Sequence, residues 1–145
     1  AGCVYLSNEY TELIKDGQRI ILAGVEDPNG RADMPTPDQV VAELRASYPD
    51  DFVVLLGHRN YWAEKYPELD VDLIFCGHSH GGIIRLPFLG GLVGTGGGYI
   101  TRSFATGNVM DISGASISRG LGDAPILPRF LNNPEVVVGV LSPDN

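Results

Sequence analysis

The chain holds three histidines, and two of them stand in Gly77-His78-Ser79-His80-Gly81-Gly82, directly after the apolar run Leu73-Ile74-Phe75-Cys76. The third, His58, closes a second run of the same build, Phe52-Val53-Val54-Leu55-Leu56-Gly57. Neutral imidazole is the commonest protein ligand for a metal ion. A lone histidine after a strand is ordinarily a hydrogen-bonded loop residue. Here every histidine of the chain ends an apolar run, and glycines flank the pair, where they let backbone approach an ion or anion closely. His58, His78 and His80 are therefore the candidate metal ligands. If His78 and His80 lie in an extended segment, residues two apart project to the same side and can serve one ion or two neighbouring ones.

Two strands must position these rings. About twenty residues separate the apolar runs, and residues 61–66 can form a short helix between them, giving strand, helix, strand. A right-handed crossover of that kind makes both strands parallel, with their carboxyl ends on one sheet edge. Ligands of open α/β sheets bind at that edge. The spacing thus predicts that His58, His78 and His80 converge.

Upstream, Cys3 to Leu6 and Arg19 to Val25 read as strands, with Lys15-Asp16-Gly17-Gln18 as a hairpin turn. Asp27-Pro28-Asn29-Gly30 is a loop of turn formers, in which Asp27 suits an Asx-type turn. Thr36-Pro37-Asp38-Gln39 carries a helix start: an N-cap, a proline at the first helical position and a capping-box glutamine. Val40, Leu44 and Tyr48, with Val41 beside them, supply one buried stripe. Downstream, Ile83 to Leu86 reads as a short strand that Pro87 and Gly90-Gly91 break. Met110 to Ile112, Ala115 to Arg119 and Val136 to Leu141 read as a second sheet.

Other residues offer weaker chemistry. Arg59 could pair with a phosphate, because a guanidinium offers fixed donors to its oxygens, although a solvated loop charge is the commoner role. Tyr61 and Trp62 suit the apolar face of the short helix. Arg119 and Arg129 could close salt bridges or line the cleft, and the sequence leaves both open. Gly94-Thr95-Gly96-Gly97-Gly98 is no nucleotide loop, because Tyr99 stands where the last glycine of G-x-G-x-x-G belongs and no helix pattern follows.

Leu55-Leu56-Gly57-His58, Gly77-His78-Ser79-His80-Gly81-Gly82 and Arg85-Leu86-Pro87 together resemble the C-terminal half of the calcineurin-like metallophosphoesterases. The tail segments Ser118-Arg119-Gly120-Leu121-Gly122 and Arg129-Phe130-Leu131-Asn132-Asn133-Pro134-Glu135 are similar to the family's bacterial branch, and the likeness runs over most of the chain. The fold this implies is α/β, the C-terminal half of an αββα sandwich with mixed sheets. The activity it implies is hydrolysis of a phosphate monoester or diester at two divalent ions, manganese, iron or zinc. In such enzymes the histidine matching His80 binds one ion and those matching His58 and His78 the other. The family also has a loop like that at Asp27 near its active-site mouth.

The chain departs from that pattern. The family's first half brings an Asp-x-His, a Gly-Asp-x-x-Asp and a Gly-Asn-His, which supply the other ligands, the bridging carboxylate and a catalytic histidine. None occurs here, and no histidine precedes His58. The expectation is a single incomplete domain over residues 1–145, a fragment or one of two separately made parts, weakly active or inactive alone. Sheet surface that the other half would cover is then bare, which predicts a homo-oligomer or association with the missing half. Two other readings are a single-ion site built from the three histidines, serving a hydrolase or lyase, and a non-catalytic binding or assembly module.

Charge and length bound these readings. A chain of 145 residues is normally one domain. With 18 acidic and 10 basic residues its net charge of -8 attracts divalent cations and disfavours a nucleic-acid partner, which needs a basic face. Cys3 and Cys76 form no C-x-x-C pair and read as reduced thiols, Cys76 as a buried strand residue. No apolar run approaches a membrane span and no signal peptide is visible. A cytoplasmic or membrane-peripheral location is expected, and a start upstream of residue 1 would leave export and anchoring open.

Overall fold

The computed structural model describes residues 2–27, 29–31, 33–60, 65–66, 68–94, 114–123 and 127–142. Strands β1 (Glu9–Lys15) and β2 (Gln18–Val25) form an antiparallel hairpin in which Lys15 pairs with Gln18. The turn needs two residues with positive φ to match the twist of its strands. Asp16 and Gly17 provide them, at φ 52° and 78°. The first strand is therefore Glu9–Lys15; the stretch Cys3 to Leu6, expected as a strand, carries no strand. Acidic residues interrupt the apolar pattern of β1, which suits its place at the sheet edge, with Leu13 and Ile14 exposed.

Helix α1 (Pro37–Ser47) starts as its sequence predicts, with the Thr36 N–H donating to Gln39 Oε1 at 3.0 Å. It buries Val40, Val41 and Leu44. Strand β3 (Phe52–Gly57) runs parallel to β2, and β4 (Leu73–Cys76) parallel to β3. Strands β5 (Arg85–Leu86) and β6 (Gly90–Gly91) form a separate small hairpin, so the glycine pair read as a strand breaker is itself paired. Strand β7 (Ala115–Ile117) lies parallel to β4. The main sheet is ordered β1-β2-β3-β4-β7, parallel except at β1.

The expected second sheet is not what forms. Ala115–Ile117 extends the main sheet instead, residues 136–141 carry no strand, and Met110 to Ile112 lies outside the described residues. So do residues 61–64, which include Tyr61 and Trp62 of the expected short helix, and most of the glycine-rich stretch after Gly94.

One face of the sheet is covered. Ile21, Ala23, Val25, Val53, Leu55, Ile74, Cys76 and Ala115 alternate along four strands and pack with Val40 and Leu44 of α1. Each fully buried aliphatic side chain of this layer contributes roughly 1.5–3 kcal/mol. The opposite face, carrying Leu22, Leu56 and Phe75, opens into a groove of about 910 Å³. Two segments without strand structure cross it. Leu6 lies over Gly24, where an added Cβ would come within 2.6 Å of the Leu6 Cβ, and Gly139 lies against the Phe75 ring.

Candidate metal centre

The carboxyl ends of β2, β3 and β4 lie side by side, and each is followed within two residues by a polar side chain of the site: Asp27, His58 and His78. The His58 and His78 rings approach to 4.5 Å between centroids, at 61° to one another. His58 Nε2 lies 3.7 Å from Asp27 Oδ2. The two histidine loops are tied directly, the Gly77 N–H donating to the His58 carbonyl at 3.1 Å. The strand-end reading thus brings two imidazoles and a carboxylate to one edge of the sheet.

Arg59 completes this cluster. Its Nε donates to Asp27 Oδ1 at 2.9 Å, and its Nη1 lies 3.2 Å from His78 Nε2. A guanidinium can only donate, so His78 Nε2 accepts and the neutral ring carries its proton on Nδ1. Burial lowers the His78 pKa, and the charges of Arg59, His58 and His80 lower it further against the opposing pull of Asp27. Both effects act against the charged imidazolium. Burial pushes the Asp27 carboxyl up, but hydrogen bonds from Arg59 and the Asn29 N–H, with the charges of Arg59 and His58, bring it below its ordinary value. Asp27 does close the Asx-type turn, its Oδ1 accepting from Asn29 N–H at 2.9 Å, and it faces the histidines as well.

His80 has different company. The expected extended segment is instead a tight loop, with His78 at φ 71° and His80 at φ 51°, both left-handed, followed by Gly81 and Gly82 at positive φ. The segment is therefore not extended, and the rule that places residues two apart on one side of a strand does not apply to this pair. His80 Nδ1 lies 3.3 Å from Arg129 Nη2, and the His80 carbonyl accepts from Asn132 Nδ2 at 2.7 Å. Asn132 is buried and also donates to the Ile83 carbonyl at 3.1 Å. Gly82 meets Gly91 backbone to backbone, an added Cβ falling 2.6 Å from the Gly91 Cα, which fastens the β5–β6 hairpin to the loop. Ser79, between the histidines, is buried with no partner for its hydroxyl among the described residues.

Both undecided arginines have roles in the geometry. Arg119 pairs with Glu135, whose pKa the hydrogen bond from Arg119 lowers. Arg129 reaches the carbonyls of Arg119, Gly120 and Gly122 as well as His80. Arg129 and Asn132 are the residues about the site that spacing could not find, since 49 and 52 positions separate them from His80. Cys76 is a buried strand residue, and burial pushes its thiol up to about 11, so it stays protonated. Cys3 is exposed, and the two thiols are not joined.

Imidazole and carboxylate are donor types that manganese, iron and zinc accept. Their number here falls short, because among the described residues no three His, Cys, Asp or Glu side chains are grouped so as to hold an ion. The residues therefore fit part of a metal site, and they do not form the single-ion site of three histidines. Among the described residues no helix is long and apolar enough to cross a membrane.

Among proteins of known sequence, the chain is 32% identical over 144 residues to the uncharacterized metallophosphoesterase YkuE of Bacillus subtilis (strain 168). The match covers 98% of this chain and 47% of that protein, so the chain spans about half the length of its relative. No protein-family model matches the chain, and no solved structure matches it significantly.

Proposed function

We propose, for a chain that is a relative of the metallophosphoesterases, that it carries part of a two-ion site for hydrolysis of a phosphate monoester or diester. The observation that carries this reading is the pairing of the His58 and His78 rings, 4.5 Å apart, at the ends of adjacent parallel strands. On this reading His58 and His78 serve one ion and His80 the other. Manganese, iron or zinc, when bound, supplies Lewis acidity toward phosphoryl oxygens and an acidified water.

The chain's own groups do the positioning. Burial, the largest cause of the lowered His78 pKa, favours the neutral imidazole that a metal ligand must be. Arg129 and Asn132 fix His80, one on its ring and the other on its backbone. Arg59 stands beside the pair with a planar fork suited to phosphate oxygens. The remaining ligands, the bridging carboxylate and the acid come from outside these residues, from the half of the relative that the chain does not span. An incomplete domain of this kind leaves the groove beside β1 to β4 as the surface for that half, or failing it for a second copy of the chain.

The test is metal content and turnover of an aryl phosphodiester by the chain alone, then with a complementary N-terminal half from the relative. Weak binding and slow turnover alone, both raised by the added half and both lost in His58→Ala and His78→Ala, are expected. Rapid hydrolysis by the isolated chain would overturn the half-site reading, and metal binding indifferent to both substitutions would overturn the site.

A further inference from the structure

We propose that β1 is an interface strand, which pairs antiparallel with β1 of a second copy of the chain and joins the two main sheets edge to edge. Strand β1 ends the sheet, and among the described residues nothing pairs with its outer edge. Its tight turn makes Lys15 and Gln18 a hydrogen-bonded pair, and such pairs alternate along an antiparallel ladder, so Tyr10, Glu12 and Ile14 turn their backbone groups outward. A row of unpaired N–H and C=O groups is a template for another strand.

The side chains decide which strand that is. On the side of α1, Tyr10 packs on Tyr48 with ring centroids 5.7 Å apart, and Glu12 Oε1 accepts from the Tyr48 hydroxyl at 2.7 Å. On the other side Thr11 and Leu13 line the groove. Opposed residues of an antiparallel pair share a face. Centred on Glu12, a second β1 therefore sets Ile14 against Tyr10, Leu13 against Thr11 and Lys15 against Glu9, and the reverse. This register pairs the whole strand, gives every outward backbone group a partner, covers the exposed Leu13 and Ile14, and puts opposite charges face to face at both ends. Sliding to the next position of the same faces sets Glu9 against Leu13 or Lys15 against Thr11 and leaves an end unpaired. The cost falls at the centre, where Glu12 meets its own copy. The Tyr48 hydroxyl, and Arg19 lying 5.1 Å over the Tyr48 ring, offset part of it. The two-fold axis of such a pair is normal to the sheet, so both grooves open on the same side.

Sedimentation equilibrium of the unsubstituted chain, from about 1 μM to about 1 mM in about 0.15 M salt, tests this. That salt screens charges more than about 8 Å apart, so the net charge of -8 on each copy weighs less than the opposed pairs. A reversible dimer is expected. Lys15→Glu sets like charges opposite one another at both ends and should weaken the dimer about tenfold, as should Glu9→Lys. The two substitutions together exchange the charges and should restore it to within about threefold. Glu12→Gln keeps an acceptor for Tyr48 and should tighten the dimer about threefold by removing the central repulsion. A monomer across the whole range refutes the proposal. A dimer indifferent to every variant places the contact elsewhere and refutes it too, and one that Lys15→Glu weakens without rescue by the exchange refutes the register. Glu9 and Lys15 are exposed, so thermal melting should find their variants folded, and the charge exchange decides alone should Glu12→Gln not fold.

Discussion

Asn132 holds the loop that bears His80, and replacing it separates two kinds of cost. Its amide donates to the carbonyls of His80 and Ile83, at 2.7 and 3.1 Å, from a side chain only 3% exposed. Each such bond is worth about 0.5–1.5 kcal/mol net. Asn132→Leu removes both but orphans neither carbonyl, because Arg129 Nη1 still reaches the His80 oxygen at 3.4 Å and the Phe130 N–H the Ile83 oxygen at 3.2 Å. It also removes a buried amide oxygen that has no partner among the described residues. The expected loss is therefore about 1–2 kcal/mol. Asn132→Asp keeps the shape and faces two carbonyl oxygens with an ionised carboxylate, which should cost about 3 kcal/mol or more at neutral pH.

The pH dependence gives the sharper check. Burial against two acceptors raises the pKa of the new carboxyl in the folded state above its unfolded value of about 3.9. In the window between those values the folded chain binds more protons than the unfolded one, so the stability of Asn132→Asp falls as pH rises through it. Below the unfolded value the protonated acid can donate one hydrogen bond, and the variant should approach Asn132→Leu. Urea denaturation at about pH 4 and about pH 7, read at constant slope, measures both differences. An Asn132→Leu chain as stable as the unsubstituted one, together with an Asn132→Asp chain no worse at neutral pH, would refute the clamp.

Gly82→Ala should destabilise by about 1–3 kcal/mol, because φ there is +73° and the new methyl meets the Gly91 backbone at 2.6 Å. Gly122→Ala, with open space around it and an ordinary φ, is the control that thermal melting should find nearly neutral. Asp27, whose carboxyl is held below its ordinary value, contributes stability that is present above the unfolded carboxylate pKa and lost as pH falls through the folded one. Urea denaturation of Asp27→Asn between about pH 2 and 5 should show that part of the acid dependence removed; a difference from the unsubstituted chain that does not vary with pH would count against it.

What the sequence made legible is what local rules decide. The Asp16-Gly17 turn and the Thr36-Pro37-Asp38-Gln39 start of α1 are set by residues within a turn of one another, and both form as read. The apolar runs that end in Gly57-His58 and Gly77-His78 become neighbouring parallel strands, so the His58 and His78 encounter followed from strand order alone. Longer-range choices were not legible. Val136 to Leu141 has the β-branched composition of a strand, yet composition names no pairing partner, and the segment lies across Phe75 unpaired among the described residues. The loop at His78 and His80 was likewise not legible, since both residues take positive φ, which non-glycine residues seldom adopt. Nothing within the six-residue motif itself requires it.

The candidate ligands and the groove on the second face of the sheet share one location. The groove along Leu22, Leu56 and Phe75 is lined at one end by Asp27, His58 and His78. On the reading proposed here, whatever packs on those apolar side chains arrives at the rim where ligands are wanting, so burial and completion of the site are one event. The apolar contact supplies most of the association free energy, as buried area does elsewhere, and the ions supply the coupling. Each should strengthen the other by the same factor, because linkage between two binding equilibria is symmetric. A complement that docks on this face without raising the affinity of His58 and His78 for an ion would separate the two, and with them the groove from the site.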